Sequence, residues 1–380
     1  MGSSLSLVRQ GRWSLQIPLD QSNEMSNEMS IEMSIDMRWR PRDDTLPQMI
    51  WQNLVTKAWV IMAPERGHRP SGGEPGPVRG DPDHKGDCPF CQGPDGSHRK
   101  VSLILNDERG WYMYVIPNLY PALIPDANPD RTREGEYLSV GGFGLAEIVV
   151  ESCDHWGYLY KRQIHEVRDL FSTFQTRTAI HLKDTRVEQV IIFQNCGPRA
   201  GVSQPHPHSQ IYVIPIVPAN NRREIEARRN YYDNEGCCPE CHLLNTELEL
   251  NKRIIFKNDH VVALCPWASE VPYEVHLVPR RHAICITLLE PKILEAMADA
   301  TRAMLGRIIN LLGNIDYNLV IDIAPRDDRD APFYHLRVRI LPRLTTPAGF
   351  EIATGIPVKT VLPETAAKDL AGNSLTDLTP

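Results

Sequence analysis

No stretch of this chain approaches the roughly 18 uninterrupted apolar residues that a membrane-spanning helix requires, and the sequence offers no such candidate. The N-terminus also lacks the apolar core of a secretory signal, so the expected location is the cytoplasm. An excess of positive charge is missing too. Lys and Arg number 41 against 48 Asp and Glu, a formal charge of −7. That balance argues against a dedicated nucleic-acid binder, although a local basic pocket remains open. What remains is ordinary for a globular protein: 42% apolar and 23% charged residues over 380 positions, enough for two domains or one large duplicated one.

Cysteine is not scarce. Nine are present, and four fall in two C-x-x-C pairs, Cys88/Cys91 and Cys238/Cys241. In a reducing compartment such pairs suggest metal or redox work rather than disulfides. A small buried pair is the plainer alternative for each. Cys237, beside Cys238, leaves open which thiolate would bind. Cys153, Cys196, Cys265 and Cys285 are expected to be core residues.

Residues 1–37 read as a low-complexity extension. Methionines recur at 25, 29, 33 and 37 within SNEMSNEMSIEMSIDM, a period that would also allow a short amphipathic helix. The other end, 367–380, is polar and expected to fray.

Between them one unit is written twice, over 38–218 and 219–366. The first copy runs from Cys88-Pro89-Phe90-Cys91 through the apolar segment 111–116 to His155. A helix follows, with Ile164, Val167, Phe171 and Phe174 at helical spacing. A strand at 190–193 and a loop lead to His206-Pro207-His208-Ser209-Gln210, where a second strand begins. The second copy repeats the order: Cys238-Pro239-Glu240-Cys241, an apolar run at 261–264, then His282. Its helix carries Met297, Thr301, Met304, Ile308 and Leu311 on one face. A strand at 319–323 and His335 before Val338-Arg339-Ile340-Leu341 complete it.

Each copy thus supplies Cys, Cys, His, His in matching order. Two thiolates and two imidazoles form a closed tetrahedral zinc site. The expected sets are Cys88, Cys91, His155, His206 and Cys238, Cys241, His282, His335, two zinc ions per chain. The copies differ two residues past the last histidine, where the first has His208 and the second Arg337. If residues 206–214 form a strand, His206, His208 and Gln210 share a face. The asymmetry marks His208 for chemistry and His206 for structure.

On these residues the chain resembles the galactose-1-phosphate uridylyltransferase family of the HIT superfamily, from about Arg38 to Ala367. Matching segments include Pro64-Glu65-Arg66 with Arg69-Pro70, Pro117-Asn118-Leu119-Tyr120-Pro121, Asp154-His155, Phe193-Gln194-Asn195 through Gln210, and Ala348-Gly349-Phe350-Glu351. The resemblance implies an α+β fold, mainly antiparallel sheet with helices packed on it, built as two zinc-binding HIT-like halves. It implies a ping-pong nucleotidyltransferase acting on a nucleotide sugar and a sugar 1-phosphate. His208 would be the nucleophile, forming a nucleotidyl-histidine. Gln210, where hydrolases of the superfamily have a third histidine, favours transfer over hydrolysis. Arg66, Arg69, Asn118, Asn195 and Ser203 would contact substrate, and Gly197 and Gly201 would let the loop approach a phosphate. A homodimer is expected by family analogy alone.

Some residues depart from the best-known uridylyltransferases. Leu119 stands where they have aspartate, Arg337 and Arg339 where they have metal-binding histidines, and Glu351 where a lysine holds the acceptor phosphate. The second C-x-x-C, Asn118-Leu119-Tyr120 and Gly349-Phe350-Glu351 look instead like the branch containing plant ADP-glucose phosphorylase. UDP-glucose with galactose 1-phosphate is the default substrate pair. An adenylyl donor with inorganic phosphate, or a diadenosine-polyphosphate phosphorylase-like activity, is the alternative. A zinc-stabilised nucleotide-binding protein without catalysis is the alternative of another class.

Overall fold

The structure is a computed structural model that describes residues 49–63, 88–96 and 100–372, together with the backbone of two short N-terminal strands. Those two, Ser6–Val8 (β1) and Arg12–Ser14 (β2), pair antiparallel within a separate unit, residues 1–47. The methionine repeat lies outside the described residues.

The remaining chain is one compact unit. It begins with Met49–Gln52 (β3), Trp59–Met62 (β4) and the short helix Gly93–Gly96 (α1). Leu103–Asp107 (β5), Gly110–Pro117 (β6), a hairpin of Arg131–Glu134 (β7) and Tyr137–Val140 (β8), and Leu145–Val150 (β9) follow. Helix Ile164–His181 (α2) then precedes Gln189–Cys196 (β10) and His208–Ile214 (β11). Two helices, Ala219–Glu235 (α3) and Pro239–Leu250 (α4), lead to Ile254–Lys257 (β12), Val261–Leu264 (β13) and Val275–Pro279 (β14). Helix Pro291–Leu312 (α5), Tyr317–Asp322 (β15) and Arg337–Pro342 (β16) complete the second series. Gly349–Thr354 (α6), Val358–Lys359 (β17) and Pro363–Gly372 (α7) end it.

Ten strands form one antiparallel sheet, ordered β12-β13-β14-β16-β15-β10-β11-β9-β6-β5. Folded about the β15–β10 seam, that order is a palindrome. The register agrees. Gln210 faces Phe193 in the first copy, Arg339 faces Val320 in the second, and Phe193 faces Val320 across the seam. Ile148 faces Gln210 as His276 faces Arg339. Position 208 therefore corresponds to 337, 209 to 338, 194 to 321 and 151 to 279. The fold is a mixed α+β arrangement with a large antiparallel sheet, as the sequence implied.

The helices α2 and α5 cover one sheet face. A capping box starts α2, with the Glu166 carboxylate accepting the Gln163 N–H at 2.8 Å. Val167, Phe171 and Phe174 are buried, whereas Ile164, at the exposed start, is not. Helix α5 has Pro291 at its first turn and stops at Gly313, whose φ of +77° suits glycine. Met297, Thr301, Met304 and Ile308 are each at most 1% exposed, and the Thr301 hydroxyl donates to the Met297 carbonyl at 2.7 Å. Each fully buried apolar side chain of this size contributes roughly 1.5–3 kcal/mol. Two expectations are corrected. Of the tail 367–380, residues 367–372 belong to α7 rather than fraying, because Ala366, Ala367 and Leu370 make a buried stripe, and 373–380 lie outside the described residues. Cys153 is exposed, whereas Cys196, Cys265 and Cys285 are buried. No helix among the described residues is long and apolar enough to cross a membrane.

Candidate functional site

Strand β11 starts at His208 rather than at His206. Pro205 and Pro207 cannot donate ladder hydrogen bonds, which delays the strand. His206 therefore sits in the loop before it. The alternation that places His208 and Gln210 on one face does not extend to His206.

From that loop His206 meets Cys88, Cys91 and His155. One ligand atom from each lies within 4.8 Å of the others. His206 Nδ1 is 3.6 Å from Cys88 Sγ and 3.4 Å from Cys91 Sγ, and His155 Nδ1 is 3.2 Å from Cys91 Sγ. The second set, Cys238, Cys241, His282 and His335, repeats this. Its thiol-to-imidazole distances are 3.9 Å from Cys238 to His335, 3.3 Å from Cys241 to His335 and 3.4 Å from Cys241 to His282. In both copies the last histidine turns Nε2 to a main-chain carbonyl, Ser152 O at 2.8 Å and Pro279 O at 3.0 Å. That bond fixes the tautomer and directs the Nδ1 lone pair at the cluster, the arrangement metal-binding imidazoles use. Burial lowers the His206 pKa to about 4, so the ring is neutral, as ligation requires. Cys237 is not in the second set; its sulfur lies 4.0 Å from His242 Nδ1. Both sets fit a metal ion, and their donor chemistry is consistent with zinc.

Beside the first set stands His208. It is 4% exposed, and burial lowers its pKa, outweighing the opposing main-chain hydrogen bond. Its Nδ1 is 2.8 Å from the His206 carbonyl. A carbonyl can only accept, so Nδ1 carries the proton and Nε2 keeps its lone pair. The Phe90 ring packs against both imidazoles, with centroids 5.8 Å from His206 and 5.2 Å from His208. Gln210 is half-buried on the same sheet face.

Asn195, two residues beyond Phe193, shares that face. Asn318 of β15 lies directly opposite. The Asn318 Nδ2 donates to Asn195 Oδ1 at 2.7 Å and to the Ala200 carbonyl at 3.0 Å, and Arg343 Nε donates to Asn318 Oδ1. The loop between β10 and β11 turns at Gly197 and Gly201, with φ of +92° and +82°. Ser203 is exposed in that loop. Asn118 follows β6, and its Oδ1 accepts the Tyr120 N–H at 3.0 Å, a local turn that leaves Leu119 exposed. Arg66 and Arg69 lie outside the described residues.

The second copy has no imidazole at the position of His208. Arg337 instead donates to Asp322 at 2.7 Å and Glu224 at 3.1 Å, and Arg339 is 2.8 Å from Asp322. Burial alone would raise the Asp322 pKa, but these guanidiniums hold it well below the usual carboxylate range.

Sequence reasoning missed Asn318, Glu151 and Gln194. Glu151 is 1% exposed; its carboxylate accepts from Ser209 Oγ at 2.5 Å and from Gln194 Nε2 at 2.9 and 2.7 Å. The available signal was a glutamine in phase with Val190 and Ile192, on the core-facing side of its strand.

The chain is similar to known proteins over most of its length. The model of the galactose-1-phosphate uridyl transferase N-terminal domain matches residues 38–218. An ADP-glucose phosphorylase of Arabidopsis thaliana is 28% identical over 327 residues, 85% of this chain and 92% of its own. A galactose-1-phosphate uridylyltransferase of Thermotoga maritima is 28% identical over 327 residues, 84% of this chain and 96% of its own. Among solved structures, an Arabidopsis thaliana ADP-glucose phosphorylase with bound ADP-glucose superposes at TM-score 0.74 and 26% identity, covering 87% of this chain and all of that one. A uridylyltransferase superposes at TM-score 0.68 and 25% identity, covering 88% of this chain and all of that one. This chain is therefore a relative of the galactose-1-phosphate uridylyltransferase family of nucleotidyltransferases, with the uridylyltransferases and ADP-glucose phosphorylase standing about equally near.

Proposed function

We propose that the protein transfers a nucleoside monophosphate from a nucleotide sugar to a sugar 1-phosphate through a nucleotidyl-His208 intermediate. The default pair is UDP-glucose and galactose 1-phosphate. The observation that carries this reading is the bond between His208 Nδ1 and the His206 carbonyl, which leaves Nε2 free to attack.

The Nε2 lone pair attacks the α-phosphorus. The bond from that phosphorus to the bridging oxygen breaks, and its electrons leave on the sugar 1-phosphate. The imidazole becomes cationic, with Nδ1–H still donating to the His206 carbonyl, whose dipole favours that charge. A phosphate oxygen of the acceptor then attacks the same phosphorus, and the P–N electrons return to Nε2. Both exchanged groups are phosphates, so no strong acid is required of the protein. Gln210 donates to a phosphoryl oxygen and cannot shuttle a proton at neutral pH. Asn195 and Asn118 face the nucleoside, while Ser203, Arg66 and Arg69 contact the phosphates.

Two zinc ions per chain are part of this reading, held by Cys88, Cys91, His155 and His206 and by Cys238, Cys241, His282 and His335. Bound zinc would supply a structural clamp, fixing the His206 loop from which His208 projects. The two halves, 38–218 and 219–366, act as a catalytic copy and a scaffold copy. Family analogy adds a homodimer in the cytoplasm.

An adenylyl donor is the second reading. It is favoured by Leu119, which offers no polar contact to a base, and by the likeness to a phosphorylase with ADP-glucose bound. Incubation with UDP-glucose and ADP-glucose radiolabelled at the α-phosphate separates the readings. Acid-labile label on the wild type and none on His208→Ala is the expected result, and the donor that labels names the base. No label from either donor overturns the proposal.

A further inference from the structure

Glu151 touches the nucleophile segment twice. Its main-chain N–H donates to the Pro207 carbonyl at 3.2 Å, and its carboxylate accepts the Ser209 hydroxyl. These are the residues immediately before and after His208. The carboxylate also accepts Gln194 Nε2, and Gln194 is the β10 residue paired with Ser209. One side chain thus joins the end of β9, β10 and β11 on the sheet face opposite the imidazole. Glu151, Gln194 and Ser209 are all at most 3% exposed. Burial disfavours the ionised Glu151, and the charge of Arg162, itself buried, offsets part of that cost.

A buried carboxylate is costly, and apolar replacements at such positions often stabilise a protein. The internal duplication shows whether the fold needs this one. The positions of Glu151, Ser209 and Gln194 are occupied in the second copy by Pro279, Val338 and Ile321, with Val338 and Ile321 part of the apolar core. The same junction of three strands is built there without polar side chains. The copy with the carboxylate clamp is the copy with His208; the copy without it has Arg337.

We infer that Glu151 is a positioning residue for the nucleotidyl transfer: by gripping Pro207 and Ser209 it holds the His208 imidazole to the His206 carbonyl, with Nε2 aimed at phosphorus. This rests on the proposed role of His208. Misplacement of a nucleophile by about 1 Å can cost on the order of a hundredfold in rate.

The test makes the first copy resemble the second. A triple variant, Glu151→Leu with Ser209→Val and Gln194→Ile, keeps the residue 151 N–H for Pro207. It is compared with the wild type, Glu151→Gln and Ser209→Ala, all zinc-loaded. The expected result is a melting temperature no lower than that of the wild type and an unchanged donor Kd for the triple variant, with single-turnover formation of the nucleotidyl-histidine slowed at least about tenfold. Glu151→Gln recovers most of the rate. Nitrogen-15 spectra of labelled histidine are expected to show a single Nδ1–H tautomer for His208 in the wild type and a mixture in the triple variant. A wild-type rate together with an unchanged tautomer in the triple variant overturns the inference. Should the triple variant not fold, Ser209→Ala carries the same two readouts. Should the wild type form no nucleotidyl-histidine, the proposed function fails, and the tautomer spectra still decide the role of Glu151.

Discussion

Phe193 and Val320 face each other across the centre of the sheet, and each is the other's counterpart in the duplicated unit. The pseudo-twofold axis therefore passes between them. Each strand residue near His208 has an internal control at a known position, and the differences between the copies separate what folding requires from what chemistry requires.

The first consequence concerns His208 and Arg337. His208→Ala should abolish covalent label, a loss of at least about a thousandfold as for other nucleophile deletions, with little change in melting temperature. Arg337→Ala should do the reverse. It leaves the buried Asp322 with one cation fewer, and breaking a buried ion pair costs about 3–5 kcal/mol. Label per folded molecule should persist. Chemical denaturation alongside labelling distinguishes the two; loss of label in Arg337→Ala at full stability would contradict the assignment of roles.

Metal content is the second. Elemental analysis should give about two zinc per chain. Cys238→Ser should lose about one of them, and Cys88→Ser the other. Only Cys88→Ser should also slow the labelling of His208, because only the first set holds the loop that presents it. An unchanged zinc count in Cys238→Ser would remove the second site.

Much of this architecture was legible in the sequence. The Cys, Cys, His, His series found both clusters, and helical periodicity found the buried face at Met297, Thr301, Met304 and Ile308. What was not legible depended on strand pairing. Asn318 lies 123 positions from Asn195, and no local pattern announces that β15 lies beside β10. Glu151 just past β9 and Ser209 inside β11 read as ordinary polar residues until the register puts them together. His206 was read into the strand because alternation alone does not register the missing N–H of Pro207. Cys153 was read as core by residue type, although its turn is exposed.

Asn318 leads to the third prediction. Its amide orients Asn195 and ties the loop at Ala200, so Asn318→Ala frees both. Loss of hydrogen bonds worth about 1–1.5 kcal/mol predicts roughly a tenfold weaker donor Kd. The single-turnover rate at saturation should change little, because His208 and the Glu151 clamp are untouched. Titration of donor binding by calorimetry checks it, and a fall in saturated rate without a change in Kd would assign Asn318 elsewhere.

The last prediction follows from the ionisation of Glu151. Burial raises its pKa from 4.5 to about 7, outweighing the hydrogen bonds from Ser209 and Gln194 and the charge of Arg162. Between those values the folded protein holds a proton that the unfolded chain has released, so this group makes stability fall as pH rises. The full penalty, reached above pH 7, is on the order of 3 kcal/mol. The triple apolar variant has no such group. Its stability relative to the wild type should therefore grow from pH 4.5 to 7 and level off above. Urea denaturation of both proteins, zinc-loaded, across that range measures the difference and cancels titrations they share. A difference independent of pH would mean that Glu151 ionises as an ordinary carboxylate, and that its bonds to Ser209 and Gln194 offset the whole cost of its burial.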